Sequence, residues 1–180
     1  MKLISKEYVE QNTILHDTKE GYGSTGHQFA KNITLLCRDN KYQSILDYGC
    51  GKGLLKSTLE KNKVNFQISE YDPAISAKNT LPSKADLVVC FDVLEHVEPE
   101  YLDTVLLHIK ELAHKCTMLS ISNQKSSQTL SDGRNAHLTI EQHPWWSEKL
   151  ANYFQIAYNE ELHQPDGSLT GSHFYIAVPN

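Results

Sequence analysis

The order of apolar patterns along this chain of 180 residues predicts an α/β fold with a doubly wound, mostly parallel sheet. Segments with helical spacing and segments with strand spacing alternate along most of the chain. The run 85–91, ADLVVCF, is nearly continuously apolar, as in a strand that is covered on both faces. A glycine-rich stretch, GCGKG, follows the strand-like segment 43–48, which is where α/β sheets commonly turn into a helix.

Each element is predicted from the periodicity of its apolar residues. The helices are expected at 27–38, 53–61, 99–114 and from Pro144 onward. The strands are expected at 43–48, 64–70, 85–91, 116–121, 153–161 and 172–178. The last two strands lie around the turn pair Asp166-Gly167, so they should form an antiparallel hairpin at one edge of the sheet.

Composition favours one globular domain over residues 1–180, because 39% of the residues are hydrophobic and 22% are charged. A net charge of −5 disfavours, without excluding, a nucleic-acid partner. No apolar run approaches the roughly 20 residues that a membrane-spanning helix needs. The first residues, MKLISKEYVEQ, lack the apolar stretch of a secretory signal, so a cytoplasmic location is expected.

The cysteines show no metal-binding pattern. None of them forms a CxxC pair, and no histidine cluster completes a metal site. We therefore expect reduced thiols and no metal. The four cysteines are Cys37, Cys50, Cys90 and Cys116.

The most informative stretch is ILDYGCGKGLL, residues 45–55, in which a strand ends, glycines follow and a helix begins. Glycines let the backbone turn tightly and approach a ligand closely. Asp47 stands two residues before Gly49, and Asp72 lies 23 residues after Gly49, at the end of the next predicted strand. A carboxylate at that position can accept hydrogen bonds from both hydroxyls of a ribose.

These residues carry a resemblance to a known family. DYGCGKG, followed by the acid at the end of the next strand, resembles motif I of the class I S-adenosylmethionine-dependent methyltransferases. FDVLEHVEP, residues 91–99, looks like the segment that closes the family's fourth strand. The C-terminal hairpin is similar to the family's last two strands, one of which is inserted antiparallel. NAHLTIEQHPWWSEKL, residues 135–150, and YGSTG, residues 22–26, are similar to stretches found in small members.

The resemblance implies S-adenosylmethionine as the cofactor and S-adenosylhomocysteine as the product. It implies that Asp47 faces the methionyl amine and that Asp72 binds the ribose hydroxyls. The other implied cofactor contacts lie in the YGSTG stretch, in the glycine turn, beside Asp72 and at the end of the family's fourth strand. They are Tyr22, Gly49, Cys50, Gly51, Gly53, Tyr71, Pro73, Asp92 and Val93.

One region departs from the family pattern. The family has a helix and a third strand between the positions of Asp72 and Asp86, where this chain has only the 13 residues PAISAKNTLPSKA. This edge of the sheet is therefore expected to be trimmed. The family's adenine-contacting acid has no clear counterpart here, and Thr80 and Leu81 are the candidates to replace it.

Two histidines are candidate catalytic residues, as a base or as ligands of the acceptor. His137 precedes the last predicted helix, where related enzymes often place a residue near the active site, and His96 follows Glu95 in LEH. The alternative for His96 is a turn residue that hydrogen-bonds the backbone. In the polar loop 122–136, Lys125 and Arg134 could bind an acidic substrate or belong to a solvated loop.

The predicted activity is methyl transfer to an acceptor the size of a small molecule or metabolite. The chain lacks the [DNS]PP[YFW] motif of amino-directed DNA methyltransferases and the Pro-Cys pair of cytosine-C5 enzymes. One alternative is a non-catalytic module that binds S-adenosylmethionine. Another is a dinucleotide-dependent oxidoreductase, which shares a glycine turn and a following acid, although its spacing is GxGxxG. The acceptor and the oligomeric state stay open.

Overall fold

The computed structural model describes residues 2–180, in which a six-stranded sheet lies between two layers of helices. The helices are α1 (Lys6–Thr18), α2 (Ala30–Asn40), α3 (Leu54–Lys61), α4 (Leu102–Leu112) and α5 (His143–Ala151). The strands are β1 (Ser44–Tyr48), β2 (Gln67–Tyr71), β3 (Ala85–Phe91), β4 (Ala113–Ser122), β5 (Phe154–His163) and β6 (Leu169–Pro179). The predicted α/β fold is confirmed.

The strand order is β2-β1-β3-β4-β6-β5. The first four strands are parallel to one another, whereas β6 is antiparallel to both of its neighbours and lies between β4 and β5. The C-terminal hairpin is therefore confirmed. It occupies the edge of the sheet opposite β2.

The β2 edge is trimmed as the sequence predicted. Residues 72–84 form turns and contain neither a helix nor a strand, so β2 is the last strand on that side. The segment folds back on itself, because the Asp72 N–H donates to the Lys78 carbonyl at 3.0 Å. This short connection leaves the carboxyl ends of β1 and β2 side by side.

The core has two parts, one on each face of the sheet. On one face, buried side chains of α2 and α3, such as Ile33 and Leu59, pack on Leu87 and Val89 of β3. On the other face, α4 and α5 pack on the alternate residues of the same strands. Because β3 faces apolar helices on both sides, its sequence is an unbroken apolar run.

Helix α1 was not predicted from the sequence. The Ser5 hydroxyl caps its start by accepting from the Tyr8 N–H at 3.0 Å. Its buried residues include the polar Gln11 and Asn12 beside Tyr8 and Leu15, so its apolar spacing is weak. The helix packs on Leu130 and Ala136 in a small cluster of its own, apart from the main core.

Candidate active site

A cavity of about 400 Å³ opens at the carboxyl ends of the parallel strands. One side, which we call the strand-end wall, consists of residues 47–51, 72–74 and 91–93. The opposite side, which we call the cap, consists of α1, residues 21–26 and the loop 122–137. Doubly wound sheets bind their ligands at this end of the strands.

The glycine turn brings the backbone close to other parts of the wall and the cap. Gly49 and Gly51 have φ angles of +74° and +50°, which side chains with a Cβ rarely adopt. A Cβ at Gly49 would collide with the side chain of Val93, and a Cβ at Gly51 would collide with the backbone of Gly23. The turn is tied to β2, because the Gly49 N–H donates to the Tyr71 carbonyl at 2.7 Å.

Asp47, at the end of β1, is a buried carboxylate in the strand-end wall. It is 4% exposed, and no side-chain hydrogen bond links it to any residue in 2–180. Burial raises the pKa of Asp47 to about 7, and the nearby charge of Glu70 contributes. A ligand with an ammonium group would give this carboxylate the partner that the protein does not supply.

Asp72, at the end of β2, is held by the backbone. Its carboxylate accepts from the Gly51 N–H at 3.0 Å and from the Ala74 N–H at 2.9 Å. His16 of α1 places its Nε2 3.9 Å from Asp72 Oδ2 across the cavity. The carboxylate can accept further hydrogen bonds, because its two oxygens carry about four acceptor positions.

Asp92 and Val93 lie where β3 ends. Asp92 has a φ of +53°, and its N–H donates to the Ser120 carbonyl at 3.0 Å. The Ser120 hydroxyl donates to Asp92 Oδ1 at 2.8 Å. A non-glycine residue in the left-handed region is uncommon, and such residues cluster at functional sites.

His137, at the end of the cap loop, and His96 are brought together, with ring centroids 4.6 Å apart. His96 Nδ1 donates to the Ala136 carbonyl at 2.9 Å, as the structural alternative for this residue proposed. It also lines the cavity, as does His137. The Tyr22 hydroxyl donates to Asn12 Oδ1 at 2.8 Å and lies 3.3 Å from His96 Nδ1.

Four of the expected cofactor contacts do not line the cavity. Gly53 precedes α3, and a Cβ at this position would meet the side chains of Glu70 and Lys78. Tyr71 is buried beneath the wall and contributes its carbonyl to the glycine turn. Thr80 and Leu81 lie on the trimmed edge, where Leu81 is 69% exposed, and their placement gives no support to the expectation that they replace the adenine-contacting acid.

The remaining expected contacts do line it. They are Tyr22, Asp47, Gly49, Cys50, Gly51, Asp72, Pro73, Asp92 and Val93.

The sequence interpretation missed His16 and Asn12 because α1 was not recognised. It also gave no role to Glu95, which is 0% exposed, accepts from the Ser122 N–H at 2.8 Å and lines the cavity. The position of Glu95 between Leu94 and His96, directly after a buried strand, was the signal available.

The two basic residues of the polar loop lie off the cavity. Arg134 pairs with Asp132, with its Nη2 2.6 Å from Asp132 Oδ2, and Lys125 is exposed. Nothing in their placement supports the binding of an acidic substrate. Within residues 2–180, no three His, Cys, Asp or Glu side chains are grouped so that they could hold a metal ion.

Comparison with known families decides the class of protein. The family model described as "Methyltransferase domain" matches residues 20–163. The chain belongs to this family. The match spans both the strand-end wall and most of the cap, and it confirms the resemblance drawn from the glycine turn. It also argues against a dinucleotide-dependent oxidoreductase.

One relative is the chloroplastic magnesium protoporphyrin IX methyltransferase of Arabidopsis thaliana. It is 28% identical in an alignment 138 residues long, and the match covers 63% of this chain and 43% of the relative. The chain therefore matches less than half the length of this relative.

Solved structures share the fold. The 1,6-didemethyltoxoflavin-N1-methyltransferase of Burkholderia thailandensis, with bound substrate and S-adenosylhomocysteine, has a TM-score of 0.68 at 17% identity over 100% of this chain and 92% of that one. The magnesium protoporphyrin IX methyltransferase of Synechocystis PCC 6803, with bound S-adenosylhomocysteine, has a TM-score of 0.60 at 18% identity over 86% and 83%. No helix within residues 2–180 combines the length and apolar character needed to cross a membrane.

Proposed function

We propose that this protein binds S-adenosylmethionine in the cavity and transfers its methyl group to a small-molecule acceptor. The observation that carries the proposal is the pair of carboxylates, Asp47 and Asp72, on either side of the glycine turn and facing the cavity. Asp47 suits a methionyl ammonium because it has no protein partner. Asp72 suits the ribose hydroxyls because its backbone contacts hold it in place.

The cavity fits a ligand of this kind in size and shape. Its volume of about 400 Å³ is in the usual range for small-molecule sites, about 300–1,000 Å³. The absence of a Cβ at Gly51 lets the turn approach Gly23 of the cap, and both residues line the cavity. The bound cofactor would supply a methyl group on a sulfonium, an electrophile that needs no covalent help from the protein.

The residues around the cavity would promote the reaction by holding the cofactor and the acceptor in position. Holding two reactants at attack distance can lower a barrier by about 7–11 kcal/mol. Tyr8, Asn12 and Tyr22 of the cap line the cavity and would exclude water from part of the bound cofactor. His96 and His137 lie on the cap side and are the groups that would orient the acceptor. The covered cavity favours a small acceptor over a nucleic acid.

Calorimetric titration with S-adenosylhomocysteine tests the binding half of the proposal. Wild-type protein should bind it, and Asp72→Ala should weaken the affinity about 10–100-fold, because a charged acceptor of hydrogen bonds is lost. Asp166→Ala, in the exposed hairpin turn, is the matched control and should bind as the wild type does. Unchanged affinity in Asp72→Ala, or tight binding of NAD without binding of S-adenosylhomocysteine, would contradict the proposal.

A turnover assay tests the catalytic half. Formation of S-adenosylhomocysteine from S-adenosylmethionine is followed with a broad set of candidate acceptors. Dependence on one acceptor class would support an enzyme. Binding of the cofactor without turnover of any acceptor would favour a non-catalytic module that binds S-adenosylmethionine.

A further inference from the structure

Apart from tyrosines and Cys50, the ionisable side chains around the cavity are carboxyl groups and histidines. Five carboxylate residues line it, and within residues 2–180 no lysine or arginine does. The five are Asp47, Asp72, Asp92, Glu95 and Glu98. The proposed function assigns the first two to the cofactor. Burial raises the pKa of the Glu95 carboxyl group well above its ordinary value, which leaves Asp92 and Glu98 as the other carboxylates on the cavity.

The basic residues nearest the cavity are engaged elsewhere. Lys52 Nζ donates to the carbonyls of Lys19 and Glu20 at 2.9 and 2.6 Å. Lys78 Nζ donates to the Gly51 carbonyl and to Glu70 Oε1, both at 3.0 Å. A negatively charged acceptor would therefore enter a site with acidic neighbours and no cation to pair with.

The two histidines offer lone pairs to the acceptor. The Nδ1 atoms of His96 and His137 lie against the carbonyls of Ala136 and Gln124, which can only accept hydrogen bonds. In each neutral ring Nδ1 therefore carries the hydrogen, and Nε2 is left as an acceptor. No hydrogen bond reaches His96 Nε2 from any residue the structure describes.

Glu95 adds an unsatisfied polar atom. Its Oε1 accepts from the Ser122 N–H, but its Oε2 is buried without a hydrogen-bond partner in residues 2–180. A buried polar atom without a partner costs stability. Glu95 lines the cavity, but Oε2 itself is fully buried, so a bound molecule reaches it only if the side chain rotates.

The histidines are poor bases. Burial lowers the pKa of His96 to about 3, with the adjacent His137 contributing, and burial also lowers the pKa of His137. An alcohol or phenol has to lose a proton to a base when it is methylated. A neutral nitrogen attacks with its own lone pair, and the positive charge that develops on it is stabilised by the acidic surroundings.

Resting on the proposed function, we propose that the acceptor is a neutral or cationic small molecule that is methylated on nitrogen. An acceptor nitrogen that arrives as an ammonium first releases a proton to solvent, because only the uncharged form has a lone pair. That lone pair forms a bond to the methyl carbon while the carbon–sulfur bond breaks, and the electron pair of the broken bond stays on sulfur. The nitrogen becomes an ammonium, which releases its proton to solvent after the product leaves. The N–H groups of the acceptor donate to the Nε2 lone pairs.

The test uses one aromatic scaffold with different attacking groups. Benzylamine, benzyl alcohol and benzoate are titrated into the 180-residue protein saturated with S-adenosylhomocysteine. Larger amines, phenols and carboxylates are assayed for turnover, with product identification by mass spectrometry. We expect benzylamine to bind at least about tenfold more tightly than benzoate, and methylated products to carry the methyl on nitrogen.

Two lysine variants test the effect of a positive charge added at the cavity. Ser127 is exposed and lines the rim of the cavity, so Ser127→Lys adds a cation there, whereas Thr129→Lys adds one to the same loop away from the cavity. Ser127→Lys should reduce the preference for benzylamine over benzoate by about tenfold, and Thr129→Lys should leave it nearly unchanged.

Three results would overturn the inference: a preferred acceptor that is methylated on oxygen, a preferred acceptor that is anionic, or no discrimination between benzylamine and benzoate, including binding of neither. Failure of the protein to bind S-adenosylhomocysteine would instead overturn the proposed function. The two failures are distinguishable because the cofactor titration is made first, in the absence of any acceptor.

Discussion

The strand-end wall and the cap enclose the same cavity but are held in place in different ways. The wall consists of turns fixed by parallel pairing and by the two large core clusters. The cap rests on a cluster of four buried residues: Tyr8, Leu15, Leu130 and Ala136. Elements with few buried contacts open locally at lower free energy than the core does. The wall is therefore suited to fixed cofactor contacts, and the cap to admitting and selecting the acceptor.

Polar contacts tie the cap to the rest of the protein. The Thr13 hydroxyl donates to the Ala74 carbonyl of the wall at 2.8 Å. The Ser5 N–H donates to Glu98 Oε2 at 2.8 Å, and the Gln11 side-chain amide donates to Asp132 within the cap itself. Such contacts fix the direction of α1 more than they stabilise it, because each hydrogen bond contributes only about 1 kcal/mol.

The largest effect on cofactor affinity is expected from a side chain placed at Gly51, where the wall and the cap approach each other closely. Gly51→Val should weaken the binding of S-adenosylhomocysteine about 100-fold or more, because the side chain requires a disfavoured φ and collides with Gly23. Titration calorimetry measures the affinity, and circular dichroism should show unchanged helix content. Gly133→Ala is the control, since Gly133 also has a positive φ but open space around its Cβ position. An equal loss in both variants would mean that φ alone matters.

Loosening the cap should have the next largest effect. Leu15 is 3% exposed in α1, and Leu15→Ala should destabilise the docking of this helix by about 2 kcal/mol or more. Hydrogen exchange followed by mass spectrometry should show faster exchange in α1 and little change in β3. The neighbouring Ile14 is 48% exposed, so Ile14→Ala should change exchange very little. Equal destabilisation of α1 and β3 would show that cap and wall open together.

The pH dependence of S-adenosylhomocysteine binding tests one residue of the strand-end wall, Asp47. Because Asp47 has a pKa of about 7, its carboxylate is mostly ionised at pH 8 and mostly protonated at pH 6. Affinity for S-adenosylhomocysteine should rise several-fold between these values if Asp47 pairs with the methionyl ammonium. The rise should be absent in Asp47→Asn. A rise that persists in this variant would assign the effect to another group.

The same carboxylate affects stability. The pKa of Asp47 in the folded protein is raised from 3.8 to about 7, so the folded state binds a proton that the unfolded state has lost, and stability falls as pH rises across that interval. His96 has the opposite effect, since its lowered pKa makes stability fall as pH drops below 6.5. The contribution of Asp47 is measured as the difference in melting temperature between wild type and Asp47→Asn over pH 4 to 8.

The smallest effect is expected on the trimmed edge. Leu81 is exposed and lies off the cavity, so Leu81→Ala should change affinity for S-adenosylhomocysteine by less than about twofold. A loss of tenfold or more would show that residues 72–84 fold over the cofactor when it binds. It would restore the role that the sequence suggested for Leu81.

Several elements were predictable because their signals are local. Strand β3 was expected at 85–91 and is found at Ala85–Phe91, since burial on both faces leaves an unbroken apolar run. The helix expected at 99–114 divides into a short 3₁₀ turn at Pro99–Tyr101 and α4, and β4 begins at Ala113. Its end was misplaced because the apolar spacing continues from the helix into the strand.

The sequence by itself determined the strand-end wall, because a strand, a glycine turn and a carboxylate two residues earlier form a signal within one short segment. It also determined the trimmed edge, since 13 residues cannot hold a helix and a strand with their connections. Only the tertiary structure decided the cap. His16 faces Asp72, and His96 Nδ1 faces the Ala136 carbonyl. Both contacts join residues 40 or more positions apart, so no local sequence pattern predicts them.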